Sequence, residues 1–220
     1  MKTFGIFMII SLLTNPFVAV LVLILMYLFI DRSFIGILPD FTVALRRKQR
    51  LRRLRQETDV NQYNANAQME LGELYIEQGD YPKAIEQLEK ALVKMEDSPL
   101  VHFYLGAAKL RLGNQDGLAE VAKAIQINPK TAQGRPYLYL LQYGNSGQGQ
   151  TEEELQEHIL HYGSVDTFFE AGKYYKQQGN KDAASKFFQE VLDIYRISAS
   201  GMKRKLRRRM LYIKFLGSVN

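Results

Sequence analysis

Two stretches of the chain read almost alike: LGELYIEQGDYPKAIEQLEKA from Leu71 and LGAAKLRLGNQDGLAEVAKA from Leu105. Leu71-Gly72 returns as Leu105-Gly106 after 34 residues, and Gly79 returns as Gly113 after the same 34. Ala91 returns as Ala124 after 33, so one residue is lost near the second turn. A third copy opens at Ala171-Gly172, with Gly179 again seven residues on. Gly106 and Gly172 lie 66 residues apart, leaving room for an eroded copy over PYLYLLQY, GNSGQGQ and TEEELQEHILHY. A period of this length with a helix–turn–helix rhythm predicts a solenoid. One helix pair cannot bury its own apolar face, so three or more must stack. Three clear pairs and one degenerate pair are present, which makes the fold class all-α.

The repeated residues resemble the tetratricopeptide repeat (TPR). They are Leu71, Gly72, Tyr75, Ala84, Leu88 and Ala91 in the first copy; Leu105, Gly106, Val121, Ala124 and Pro129 in the second; Gly172, Tyr175, Ala184, Phe188 and Val191 in the last. At Gly72, Gly106 and Gly172 the paired helices must approach closely, with Ala84 and Ala184 facing that contact. Some positions depart from the pattern. Gln68 and His102 stand where an aromatic is common, Phe168 keeps it, and Lys109 replaces the usual tyrosine. The resemblance spans residues 60–197 and implies a concave groove, lined by the first helix of each pair, that takes a protein or peptide partner. Matched position by position, the lining is Met69, Glu70, Glu73 and Glu77 from the first pair and Phe103, Tyr104, Ala107 and Leu110 from the second. Phe169, Glu170, Lys173 and Lys176 come from the last, with Tyr137, Tyr139 and Tyr143 from the eroded pair. The lysine/asparagine clamp by which one subfamily grips carboxylates is absent, because Met69 and Glu73 occupy its positions. An acidic first pair beside an aromatic second suggests a basic or amphipathic ligand.

The ends of the chain differ from its body. From Phe4 to Ile30 there is no charge in 27 positions, enough for the roughly 20 apolar residues that span about 30 Å of hydrocarbon. The run is too long for the apolar core of a cleaved signal, about 7–15 residues. Asn15-Pro16 interrupts it, so residues 1–40 read as an anchor with two forms open: one kinked crossing, or a re-entrant pair. RRKQRLRRLR, residues 46–55, then holds seven positive charges in ten positions. Positive charge beside a span stays cytoplasmic, which predicts a single-pass membrane protein with its C-terminal domain in the cytoplasm. Phe41, Leu45, Leu51 and Leu54 fall on one side of a helix over this basic segment, 41–57. Arg46, Arg47, Lys48, Arg50, Arg52, Arg53 and Arg55 are therefore expected to face an anionic inner leaflet. No aromatics interleave to stack on bases, so nucleic acid is not an expected partner. Residues 1–55 carry +7, residues 56–198 carry −8 and residues 199–220 carry +7. The solenoid is expected over 58–198, followed by a basic capping helix over 199–220 in which Met202, Leu206, Met210 and Ile213 recur at helical spacing.

Little in the sequence points to chemistry. There is no cysteine, which excludes thiolate metal sites, Cys nucleophiles and disulfides. His158 and His161 sit three apart with Glu154 and Glu157 one turn back, but no third ligand accompanies them, so no metal is expected. GNSGQGQ, residues 144–150, lacks the lysine and Ser/Thr of a phosphate loop. No cofactor is expected, and no enzyme. The reading is a membrane-anchored adaptor that binds partner proteins through a concave helical groove. The alternative is a non-catalytic accessory or regulatory subunit of a membrane or envelope-assembly complex.

Overall fold

The structure, a computed structural model, describes residues 16–30, 41–144 and 150–215. Helix α1 (Pro16–Ile30) comes first, then α2 (Phe41–Val60). Four helix pairs follow: α3 (Ala65–Gln78) with α4 (Tyr81–Leu92), α5 (Pro99–Arg111) with α6 (Gly117–Ile127), α7 (Arg135–Tyr143) with α8 (Glu152–Tyr162), and α9 (Val165–Gln177) with α10 (Lys181–Ile197). Helix α11 (Ser200–Phe215) closes the described chain.

Side-chain caps start these helices. Asn64, Ser98 and Ser164 accept the free amides of Ala67, Val101 and Thr167 at the first helix of three pairs. Asp80 and Asn180 do the same for Lys83 and Ala183 at the second helix of two. Thr151 and Glu154 form a reciprocal capping box at α8. Each such bond satisfies an amide that has no partner within its helix. The turn inside three pairs passes through Gly79, Gly113 and Gly179 at φ 79°, 88° and 77°, a conformation that costs other L-residues energy. The close approach expected at Gly106 is real: an added Cβ would lie 2.6 Å from the Gly117 carbonyl oxygen.

The buried side chains form two clusters. One runs from Leu51 and Leu54 on α2 through Leu71, Leu74 and Leu88 to Phe103, Leu105 and Val121. The other joins Tyr137 and Ile159 to Phe168, Tyr175, Phe187, Phe188 and Ile213. Ile125 and Leu140 pack against both. Between the second and third pairs, Ala132, Gln133 and Gly134 all take positive φ, and the Thr167 hydroxyl donates to the Gln133 carbonyl at 2.7 Å to hold that link.

Two expectations about the N-terminal region are corrected. No helix among the described residues is long and apolar enough to cross a membrane. Helix α1 has 15 residues, about 22 Å at ~1.5 Å each, short of the roughly 30 Å of hydrocarbon. The expected transmembrane helix, and with it the single-pass placement and the cytoplasmic assignment of the C-terminal domain, is therefore overturned. Residues 4–14, needed for the longer run, lie outside the described residues, as do residues 31–40. The second correction concerns the basic segment. Helix α2 continues to Val60 and packs Leu51 and Leu54 on the array, only 8% and 2% exposed. Of the stripe read as a membrane-facing side, Leu51 and Leu54 belong to a protein core, while Leu45 is 58% exposed.

Candidate partner-binding surface

On α3, Glu70, Glu73 and Glu77 share one face, as their spacing requires. Each already has a partner within the chain. Arg50 pairs with Glu70 at 2.8 Å and Arg47 with Glu77 at 2.9 Å. The Tyr104 hydroxyl donates to Glu73 at 2.5 Å. Burial, reinforced by Glu73, pushes the Tyr104 phenol far above its ordinary range, so it stays protonated as the donor. Arg55 donates to the Tyr75 hydroxyl at 3.0 Å and lies over that ring. Three of the seven basic residues expected to face lipid thus face the array instead. Arg46, Lys48, Arg52 and Arg53 are exposed. Leu51 and Leu54 set this orientation, because burying them turns the flanking arginines toward the acids of α3.

The second pair is closed as well. Phe103 and Tyr104 are 0% and 8% exposed, and Ala107 and Leu110 are 1% and 2%. Tyr139 packs its edge on Phe103 at 5.5 Å. Tyr137 is buried, stacked on His158 at 4.7 Å and Tyr162 at 5.8 Å. These six side chains hold the array together. Met69 is half-buried beside the first cluster. In the last pair, Phe169 is half-buried against Tyr212 of α11 at 5.2 Å. Arg209 and Lys173 lie over its ring. Glu170 pairs with Lys173 at 2.6 Å, and Arg209 reaches Asp166 at 2.8 Å. Helix α2 covers the first-helix face at one end of the array, and α11 covers it at the other.

Between them lies a further accessible stretch. Arg111, the last residue of α5, is exposed, donates its Nε–H to the Tyr139 hydroxyl at 3.5 Å and rests over the Tyr139 ring. Arg135, first in α7, is half-buried with its guanidinium 5.2 Å from the centre of Phe103. Half-buried Tyr143 stacks on Tyr139 at 5.7 Å, and burial raises its phenol while Arg111 opposes that shift. Reading the sequence found Tyr143 but neither arginine. The period carried a signal for Arg111, which stands 34 residues after Glu77. Arg135 belongs to the eroded pair, where no register marks it.

Among the described residues no group of three or more His, Asp or Glu is placed to hold a metal. His102 is buried with both ring nitrogens 2.7 Å from oxygens, one of the Glu120 carboxylate and one of the Glu96 carbonyl. It ties α5 to α6 and to the loop before α5. His158 is occupied in its stack with Tyr137.

Residues 72–113 match the family described as "TPR repeat", and residues 165–197 match "Tetratricopeptide repeat". The chain carries tetratricopeptide repeats, arranged as an all-helical solenoid of helix pairs. No curated protein matches it. Among solved structures, MamA is 24% identical with TM-score 0.48, covering 65% of this chain and 85% of that one. PilF of Pseudomonas aeruginosa is 15% identical with TM-score 0.47, covering 73% and 71%. YrrB, described as a TPR protein with an unusual peptide-binding site, is 20% identical with TM-score 0.45, covering 75% and 89%.

Proposed function

We propose that the chain is a non-catalytic scaffold that holds a partner protein or peptide on the first-helix side of its repeats, across Arg111, Arg135 and Tyr143. The observation that supports this is the distribution of cover along that side. Helices α2 and α11 occupy its ends through Arg47–Glu77, Arg50–Glu70 and Arg209–Asp166. The α5–α7 junction between them presents an exposed arginine beside a half-buried tyrosine. Arginine and tyrosine over a packed aromatic floor are residue types that anchor protein interfaces. A partner's segment laid there meets rigid groups and gives up little freedom of the scaffold.

A photo-crosslinking residue placed at Tyr143 tests this against the same residue at Lys123, exposed on the second helix of its pair. Discrete protein adducts are expected from position 143 and not from 123. Adducts from position 123 alone, or from neither, would remove the proposed face.

A further inference from the structure

We propose that the segment taken by this face is acidic, with side-chain carboxylates seated on Arg111 and Arg135; the inference rests on the scaffold reading above. The sequence suggested the opposite charge, because the first helix of the first pair carries Glu70, Glu73 and Glu77. The structure spends those acids internally. Glu70 and Glu77 pair with Arg50 and Arg47, and Glu73 accepts from Tyr104. A basic ligand at that end would have to displace the chain's own helix α2.

The two arginines are placed differently. Among the described residues, neither Arg111 nor Arg135 has a carboxylate partner; the ion pairs of the array are made by other residues. Each instead lies over an aromatic ring, Arg111 5.7 Å from the centre of Tyr139 and Arg135 5.2 Å from that of Phe103. Those two rings touch edge-to-face at 5.5 Å, so the guanidinium groups flank one rigid aromatic pair. Arg111 commits its Nε–H to the Tyr139 hydroxyl, and among the described residues its terminal Nη groups make no hydrogen bond. A guanidinium fixed through its Nε–H in this way leaves its terminal donors for a carboxylate. Lys176 on α9 is also exposed, lies over Tyr212 and, among the described residues, has no carboxylate partner. It extends positive charge along the same side.

The chemistry favours an acidic peptide over nucleic acid. Phe103 and Tyr139 are 0% and 6% exposed, so neither ring of the floor offers an open face for a base to stack on, and Tyr143 alone is no stacking platform for successive bases. Two guanidinium groups match separate carboxylates better than a strand with a phosphate at every nucleotide.

Fluorescence anisotropy of the full chain with three labelled probes decides the matter. They are a dodecapeptide repeating Glu-Ala-Tyr, its Lys-Ala-Tyr counterpart, and a thymidine dodecanucleotide. The acidic peptide is expected to bind at least about tenfold more tightly than either other probe, with affinity falling as salt is raised. Changing Arg111→Gln and Arg135→Gln together should weaken it about tenfold, with circular dichroism unchanged. Arg111→Lys with Arg135→Lys should recover part of that loss, since charge stays and the planar fork goes. Equal or tighter binding of the basic peptide, unchanged affinity in the glutamine variant, or preference for the oligonucleotide would each overturn the acidic ligand. Binding of no probe, with crosslinking at Tyr143 intact, would also overturn it and leave the scaffold standing. Loss of the crosslink as well would remove both.

Discussion

At the scale of single residues, Gly106 shows how little space separates the helices of a pair. An added Cβ meets the Gly117 carbonyl oxygen at 2.6 Å and Val121 Cγ2 at 2.8 Å, and a carbonyl cannot swing aside as a side chain can. Gly106→Ala is therefore expected to cost about 1–3 kcal/mol, read as a lower midpoint in urea with unchanged slope. Gly201→Ala, with nothing within 4 Å, should leave the midpoint where it is. Asp80 carries a pH effect. Its hydrogen bond with Lys83 holds the carboxyl below its ordinary range, so the folded chain binds fewer protons there than the unfolded one. The contribution is present above the unfolded pKa, about 3.9, and is lost as pH falls through the depressed folded value. Asp80→Asn keeps a side-chain cap for Lys83 and removes the titration. Its stability is expected to fall less steeply with acid than that of the parent; identical acid limbs would mean the charge is unimportant.

At the scale of elements, α2 shows where a sequence pattern has two solutions. Leu51 and Leu54 flanked by arginines describe a helix for a charged lipid surface and also one for an acidic protein face. The charge pattern is the same in both. The acids at Glu70 and Glu77, brought up by the fold, select the second. Leu54, 2% exposed, holds that choice. Leu54→Ala should cost about 2–5 kcal/mol and raise amide exchange over residues 47–58, with α9 and α10 unaffected. Uniform loosening of all helices would show that α2 is no separate unit. Helix α11 is the counterpart at the other end. Of the spacing visible in its sequence, Leu206, Met210 and Ile213 form the buried side in the structure, while Met202 is 48% exposed.

At the scale of the whole molecule, the two core clusters meet through Ile125 and Leu140. In an array of this kind each repeat touches mainly its neighbours, so damage stays local. Phe187→Ala, deleting a fully buried ring that stacks on Tyr175 at 5.7 Å, should cost about 3–5 kcal/mol. Exchange is expected to rise over α9–α11 while α3 and α4 keep their protection. Equal loss of protection in both halves would mean that the junction at Ile125 and Leu140 transmits full cooperativity. The division of charge along the sequence is answered at this scale too. Part of the N-terminal excess meets the acids of α3, and Arg209 of the C-terminal excess meets Asp166.

The repeat was legible because it depends on local rules. Gly79 and Gly113 mark turns that need positive φ, Asn64 and Ser98 mark helix starts, and the 34-residue spacing repeats both without reference to distant residues. The candidate surface was not legible in the same way. Phe103, Tyr104, Ala107 and Leu110 occupy ligand-facing positions of the motif, yet Tyr139 and the neighbouring helices bury them. Glu70 and Glu77 look open until α2 folds back onto them. Arg111 and Arg135 attract no notice in a line of text, because what marks them is a ring beneath each and, among the described residues, no ion pair with an acid. Sequence by itself determined the helices, their pairing and their period, which follow from backbone propensity and periodic burial. Only the tertiary structure decided which charges are neutralised within the chain and which remain for a partner, because that depends on distances between helices far apart in sequence.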